Sequence, residues 1–138
     1  MVISHFSFGF LVCIFMIVRL FLFIKNPVPE IIPAPPKLQL YLGRTVHILL
    51  YMLFIALPTI ALIAKYIKGM EWYILGISMP ITKIPNQDLS KLLIGWHKTI
   101  SVLGYWLVGT HALAALIHHY IFKDNTLVRM LFLKKHKI

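Results

Sequence analysis

Acidic residues are scarce in this chain of 138 residues, and their scarcity limits what the protein can do. Four carboxylates stand against 14 lysines and arginines, and the formal net charge is +10. None of the acids falls in a long apolar segment, so the carboxylates that would serve a proton relay or a hard cation inside a membrane are missing. This distribution disfavours a pump or an ion channel. The four acids are Glu30, Glu71, Asp88 and Asp124.

The sequence also has a single cysteine, Cys13, and only 13% charged residues. One thiol excludes a disulfide within the chain, and its position inside an apolar segment favours a small packing role. Hydrophobic residues make up 59% of the chain and the mean hydropathy is +0.83. Such values are far above those of a soluble domain. We therefore expect a membrane protein that contacts lipids along most of its length.

Three apolar segments have the length of about 20 residues that a helix needs to cross a bilayer. A fourth stretch, 71–84, is interrupted by glycine, proline and lysine, and it predicts an interfacial loop or short helix with Trp72 and Tyr73 at headgroup level. The expected fold is an all-α integral membrane helical bundle with three visible transmembrane helices. It forms one domain, 1–138, with spans at about 2–24, 46–63 and 92–122.

The segments between and after the spans predict the orientation. Five prolines within residues 27–36 favour an extended connector between the first two spans. That connector and the tail carry more basic residues than the opposite side, which predicts an N-terminus outside and a C-terminus in the cytoplasm. No soluble basic domain is present to bind nucleic acid. The two basic sets are Lys25, Lys37, Arg44, Lys123, Arg129, Lys134, Lys135 and Lys137, against Lys65, Lys68, Lys83, Lys91 and Lys98.

Three histidines of the third span share one helical stripe. From His97 to His111 is a step of 14 residues, which ends about 40° short of four turns, and His118 follows after a further step of seven. Fourteen residues rise about 21 Å, so His97 and His111 are expected near opposite faces of the membrane. Gly104 lies midway on the stripe, where its missing side chain would let a flat macrocycle or a neighbouring backbone approach.

The first span repeats this spacing, since Arg19 follows His5 by 14 residues. His5 and His97 are expected at the outer level. The residues expected at the inner level are Arg19, His47, His111, His118 and His119. Paired imidazoles from facing helices suit low-spin haem iron, so haem b is the predicted cofactor. The alternative for any one histidine is that it is a polar anchor at the membrane interface.

Several motifs resemble the bacterial cytochrome b561 family, and together they cover essentially the whole chain. The family is a four-helix membrane bundle with two b-type haems that carries electrons between a periplasmic donor and the quinone pool, and some members are similar to superoxide oxidases. The motifs are Val18-Arg-Leu20, Leu53-Phe-Ile-Ala-Leu-Pro58, Leu75-Gly-Ile-Ser-Met-Pro80, Gly95-Trp-His97-Lys-Thr, Leu103-Gly-Tyr105, Gly109-Thr-His111-Ala-Leu-Ala-Ala, and the run from His118-His-Tyr through Lys-Asp-Asn125 to Met130.

The resemblance implies that His5 and His97 are ligands of an outer haem and that His111 is a ligand of an inner haem. Family members have a further helix before the segment that begins here, and that helix supplies the second inner ligand. Three sources for it are open: another chain, a homodimer, or a start codon placed upstream. His47 either substitutes as the ligand or lies near quinone or a haem propionate.

Two further residues have two explanations each. Arg19 either pairs with a propionate or quinone oxygen, or extends its charge to the interface. His118 either lines a pocket for ubiquinone or belongs to the cytoplasmic surface. The expected function is a membrane cytochrome b, either a superoxide:ubiquinone oxidoreductase or an electron carrier. The alternative from another class is a membrane anchor subunit, or a degenerate remnant, without haem.

Overall fold

The computed structural model describes residues 2–26 and 30–130. Within them lie three long helices that are long and apolar enough to cross a membrane, which confirms the predicted all-α membrane architecture. Lys134, Lys135 and Lys137, which entered the orientation prediction, lie outside the described residues. The elements are α1 (Val2–Lys25), α2 (Lys37–Lys68), β1 (Tyr73–Ile74), β2 (Ile77–Ser78), α3 (Gln87–Tyr120) and α4 (Thr126–Met130).

The helices are longer than the apolar segments, because the polar residues at each end are also helical up to the residues that cap the helix. The predicted span 46–63 lies inside α2, which ends at Gly69 in the left-handed conformation, with φ at 69°. Asn86 caps α3 by accepting a hydrogen bond from the Leu89 N–H at 2.9 Å. The predicted span of about 92–122 lies within α3 except for its last two residues, since α3 ends at Tyr120.

The second helix is the centre of the bundle and packs against both of the others. Small residues line these contacts: Ala61 and Ala64 are buried on α2, and Ser90 and Gly104 on α3. The Ser90 hydroxyl donates to the Ala64 carbonyl at 2.9 Å. Small residues and short polar contacts are how membrane helices approach closely without a hydrophobic driving force. By contrast, among the described residues no Cα of α1 lies within 8 Å of a Cα of α3.

The sequence predicted an interfacial loop or a short helix for the stretch 71–84. The structure has no helix there and instead has an antiparallel hairpin in which Tyr73 pairs with Ser78. Trp72 is buried within the protein, and its indole N–H donates to the Pro80 carbonyl at 3.1 Å; its depth at headgroup level stays a prediction. Tyr73 remains exposed. Burial follows from the hairpin folding back onto α1, which covers the indole while satisfying its donor.

The hairpin fixes the beginning of α1. The Leu75 N–H donates to the Ser7 hydroxyl oxygen at 2.9 Å. The rings of Trp72 and Phe6 pack edge to face, with their centroids 6.3 Å apart. These contacts involve the two residues directly after His5, so the loop that joins α2 to α3 also restricts the position of the first histidine. At the other end of the bundle, residues 30–36 of the proline-rich connector contain neither helix nor strand, as their prolines predict.

Candidate functional site

His5 and His97 meet across the gap between α1 and α3. Their ring centroids are 6.2 Å apart and the ring planes are inclined at 87°. The backbones of α1 and α3 are not in contact within the described residues, so the two imidazoles face one another across the space between these helices. The sequence had placed these two residues at one depth, and the fold brings them together.

A main-chain contact orients His97. Its Nδ1 donates to the Leu57 carbonyl at 3.0 Å, which leaves the Nε2 lone pair available to a ligand. Histidines that bind metals almost always donate their other ring N–H in this way, because the bond fixes both the tautomer and the ring orientation. Sequence reasoning missed this carbonyl. Pro58 is no signal for it, because a proline inside a helix frees the carbonyl four residues before it, which here is that of Phe54.

The donor set at the outer level fits a haem rather than a bare metal ion. Two imidazoles on opposite sides of one metal place their ring centres about 6 Å apart, because each metal–nitrogen bond is about 2 Å. The spacing of His5 and His97, 6.2 Å, agrees with that arrangement. Across residues 2–26 and 30–130, no group of three or more histidine, cysteine, aspartate or glutamate side chains is placed to hold a metal ion.

A second pair of imidazoles lies at the inner level. His47 on α2 and His111 on α3 have ring centroids 5.3 Å apart, inclined at 71°. Arg19 on α1 is near enough to His111 for their charges to interact. Three of the five residues expected at the inner level thus form one cluster. The centroids of the His47 and His111 rings are closer than in a metal site with two imidazole ligands, where they lie about 6 Å apart.

Gly104 has a different neighbour from the one expected. The sequence predicted that a macrocycle or a backbone would approach it, but the side chain of Leu53 from α2 fills the space. A Cβ built at position 104 would lie 2.9 Å from Leu53 Cδ2. The glycine therefore serves helix packing between α2 and α3, because only the absence of a side chain allows this approach.

His118 belongs to a separate polar cluster just beyond the inner level. Its Nδ1 pairs with the Asp124 carboxylate, and its Nε2 lies 2.8 Å from the Gln39 amide nitrogen. Burial raises the pKa of Asp124, but hydrogen bonds from His118 and Thr126 lower it by more, so this pKa lies below its ordinary value. Sequence reasoning had no signal for Gln39, which the first turn of α2 brings to His118 from 79 residues away.

Comparisons with known proteins agree with this arrangement. The model of the family described as prokaryotic cytochrome b561 matches residues 1–132. A protein of Yersinia pestis named as a probable superoxide oxidase, CybB, is 39% identical over 127 residues, which cover 92% of this chain and 72% of that protein. Cytochrome b561 homolog 1 of Escherichia coli K12 is 38% identical over 128 residues, which cover 93% of this chain and 73% of that protein.

The apolar helices, the facing imidazoles and these matches lead to one conclusion. The chain is an integral membrane protein that belongs to the prokaryotic cytochrome b561 family, whose members are electron carriers that bind haem b.

Proposed function

We propose that this protein carries electrons from a donor on the periplasmic side, with superoxide as the candidate, to ubiquinone in the bacterial inner membrane. Haem supplies the one-electron chemistry when bound, and the protein fixes its ligands, surroundings and distance from the reactants. The observation that carries the proposal is the outer pair, in which His5 faces a His97 ring already oriented by the Leu57 carbonyl.

The name of the Yersinia pestis relative, a probable superoxide oxidase, supports superoxide as the donor. Charge on this chain agrees with it, because five lysines lie on the predicted periplasmic side: Lys65, Lys68, Lys83, Lys91 and Lys98. A surface of one sign raises the local concentration of a small ion of the opposite sign and speeds its capture. Two superoxide anions would each lose one electron and leave as dioxygen, and one quinone would take up both electrons and two protons.

The inner cluster is assigned to the cytoplasmic half of the same route. We assign His111 as a residue that would hold a second haem, and Arg19 as the residue that would pair with a propionate or a quinone oxygen. The nearness of its ring to His111 makes His47 the candidate within this chain for a second residue that would hold this haem. The 5.3 Å spacing must widen for an iron to enter, which favours weak binding over a tight site.

The quinone is assigned to the His118 end of α3. The orientation follows the basic residues of the sequence, with the N-terminus periplasmic and the C-terminus cytoplasmic. His118 is half-buried between the first turn of α2 and the turn after α3, where an apolar ring from the lipid phase can meet a polar group. Lipids and quinone are the expected partners, and a further helix from a second chain or a second copy would complete the inner site.

A spectrum tests the proposal. The 138-residue chain, expressed with excess haem and purified in detergent, is expected to give the reduced-minus-oxidised band of a low-spin b-type haem. Superoxide from an enzymatic source should reduce it. Reoxidation by a short-chain ubiquinone should be slow while only the outer haem is bound, because about 21 Å separates the levels of His97 and His111. A chain that folds but lacks the band would instead support a membrane anchor or remnant without haem. A haem that superoxide does not reduce would remove superoxide as the donor.

A further inference from the structure

Ser7 is a buried polar residue on an otherwise apolar membrane helix. Its side chain is 8% exposed, and its hydroxyl oxygen accepts a hydrogen bond at 2.9 Å from the N–H of Leu75, which is 68 residues away along the chain. Burying a hydroxyl is unfavourable unless a hydrogen bond compensates it. This bond therefore joins α1 to the hairpin at one defined point, two residues after His5.

The turn of the hairpin presents the donor of this bond. Ile74 pairs with Ile77, so the N–H of Leu75 has no partner within the hairpin. Leu75 and Gly76 have φ at 50° and 82°, and a positive φ at both turn residues is the pattern of a type I′ turn. Leucine is disfavoured in this left-handed conformation. Such a conformation persists where surrounding contacts hold it, and here the group that is held is the N–H that reaches Ser7.

Two contacts on different sides of α1 fix its rotation about the helix axis. Besides the hydrogen bond at Ser7, the Phe6 ring packs edge to face against the Trp72 ring, with the centroids 6.3 Å apart. Consecutive residues of a helix project about 100° apart, so contacts at both Phe6 and Ser7 resist rotation of α1. His5 projects in a third direction, in which its ring faces that of His97.

The outer pair is sensitive to this rotation. Among the described residues no Cα of α1 lies within 8 Å of a Cα of α3, so the backbone of α3 does not hold His5 in place. An imidazole lies about 6 Å from the axis of its helix, so a rotation of about 20° moves the ring by about 2 Å. That displacement is as long as a metal–nitrogen bond, which is about 2 Å.

We infer that Ser7 is a positioning residue, which holds His5 through the hairpin in the direction that lets His5 and His97 hold a haem together. The inference rests on the proposed function, in which these two histidines hold the outer haem. Without the hydroxyl, the Leu75 N–H loses its partner and α1 can rotate, whereas His97 stays oriented by the Leu57 carbonyl. The inference also gives a role to the 75–80 motif, which contains neither histidine of the outer pair.

The test uses carbon monoxide, which binds a reduced haem iron only where a histidine has left it. In the purified full chain with its haem, Ser7→Ala should bind carbon monoxide roughly tenfold faster than the natural chain, the change expected when a buried donor loses its hydrogen bond. The oxidised spectrum of Ser7→Ala should gain a high-spin component, and added imidazole should remove it by taking the place that His5 leaves. In a His5→Ala background, Ser7→Ala should have no further effect, because a positioning residue acts only through the group that it positions.

Two variants are matched controls. Ser4→Ala makes the same substitution at an exposed position one turn away, and its rate of carbon monoxide binding should stay within about twofold of that of the natural chain. Leu75→Gly keeps the N–H and relieves the left-handed strain, so its rate should also stay within about twofold. A second measurement needs no haem: in the haem-free chain, amide hydrogen exchange at residues 73–78 should be faster in Ser7→Ala than in Ser4→Ala.

Each other outcome decides against the inference. An unchanged rate of carbon monoxide binding in Ser7→Ala overturns it, and so does an equal increase in Ser4→Ala or Leu75→Gly, which would assign the effect to the helix turn or to the Leu75 side chain. Complete loss of haem from Ser7→Ala, or unchanged amide exchange in the haem-free chain, overturns it as well. If the natural chain retains no haem, the proposed function fails and the inference fails with it, whereas a haem that Ser7→Ala leaves unaltered overturns the inference alone.

Discussion

Replacing Gly69 by alanine should be among the most destabilising single-methyl additions in this protein. Gly69 ends α2 with φ at 69°, and a Cβ there would lie 2.6 Å from Pro85 Cγ. The left-handed conformation costs a residue with a side chain about 1–2 kcal/mol. Crowding against a packed neighbour adds about 1–3 kcal/mol, and the proline ring cannot rotate away. Gly69→Ala should therefore lower the free energy of unfolding by about 2–5 kcal/mol.

Three other glycines separate these two costs. Gly76 has φ at 82° but nothing within 4 Å of a built Cβ, so Gly76→Ala should lose only the conformational part, about 1–2 kcal/mol. At Gly104 only crowding applies, and it comes from the flexible Leu53 side chain. Gly104→Ala should therefore lower the free energy of unfolding by less than Gly69→Ala does. Gly95 has neither, so Gly95→Ala should be neutral or stabilise α3 by about 0.5–1 kcal/mol.

The assay is unfolding of each purified variant in mixed detergent micelles, followed by tryptophan fluorescence and, where haem is present, by its absorption band. Because the α2–α3 turn sets Leu57 against His97, Gly69→Ala should also release haem at a lower denaturant concentration than Gly76→Ala. A Gly69→Ala chain as stable as Gly95→Ala would refute the placement of Pro85 against this turn. Equal losses at Gly69 and Gly76 would show that crowding contributes nothing.

Three further predictions concern haem and pH. His97→Ala should abolish the outer haem more completely than His118→Ala, as measured by the reduced-minus-oxidised spectrum, and equal losses would contradict the outer assignment. Pyridine haemochrome analysis should give about one tightly bound haem per chain, because the rings of His47 and His111 are too close together for an iron to bind between them. Finding two low-spin haems, one of which is lost in His47→Ala, would instead show that His47 completes a site with His111. The hydrogen bonds that lower the pKa of Asp124 stabilise the fold above its ordinary value of 3.8, so the free energy of unfolding should fall as the pH drops through and below that value, and Asp124→Asn should flatten this dependence. A dependence unchanged in that variant would assign acid unfolding to other groups.

Composition and periodicity were sufficient for the architecture. A transmembrane helix satisfies its own backbone, so apolar length alone predicts it, and all three spans appeared where the apolar segments lie. The fixed turn and rise per residue likewise put His5 with His97 at one depth and His47 with His111 at another. The helix ends and the structure of the 71–84 loop were harder to predict, because capping by Asn86 and the burial of Trp72 depend on contacts rather than on hydropathy.

The sequence by itself thus determined that the chain enters a membrane, which residues share a depth, and which chemistry they suit. Only the tertiary structure decided which partners meet. The Leu57 carbonyl that orients His97 and the Gln39 amide beside His118 come from a different helix, 40 and 79 residues away. Helical periodicity specifies the direction of a side chain on its own helix, but which atom lies opposite depends on how two helices pack. That packing is set by small residues such as Ala64 and Gly104, whose partners no local pattern reveals.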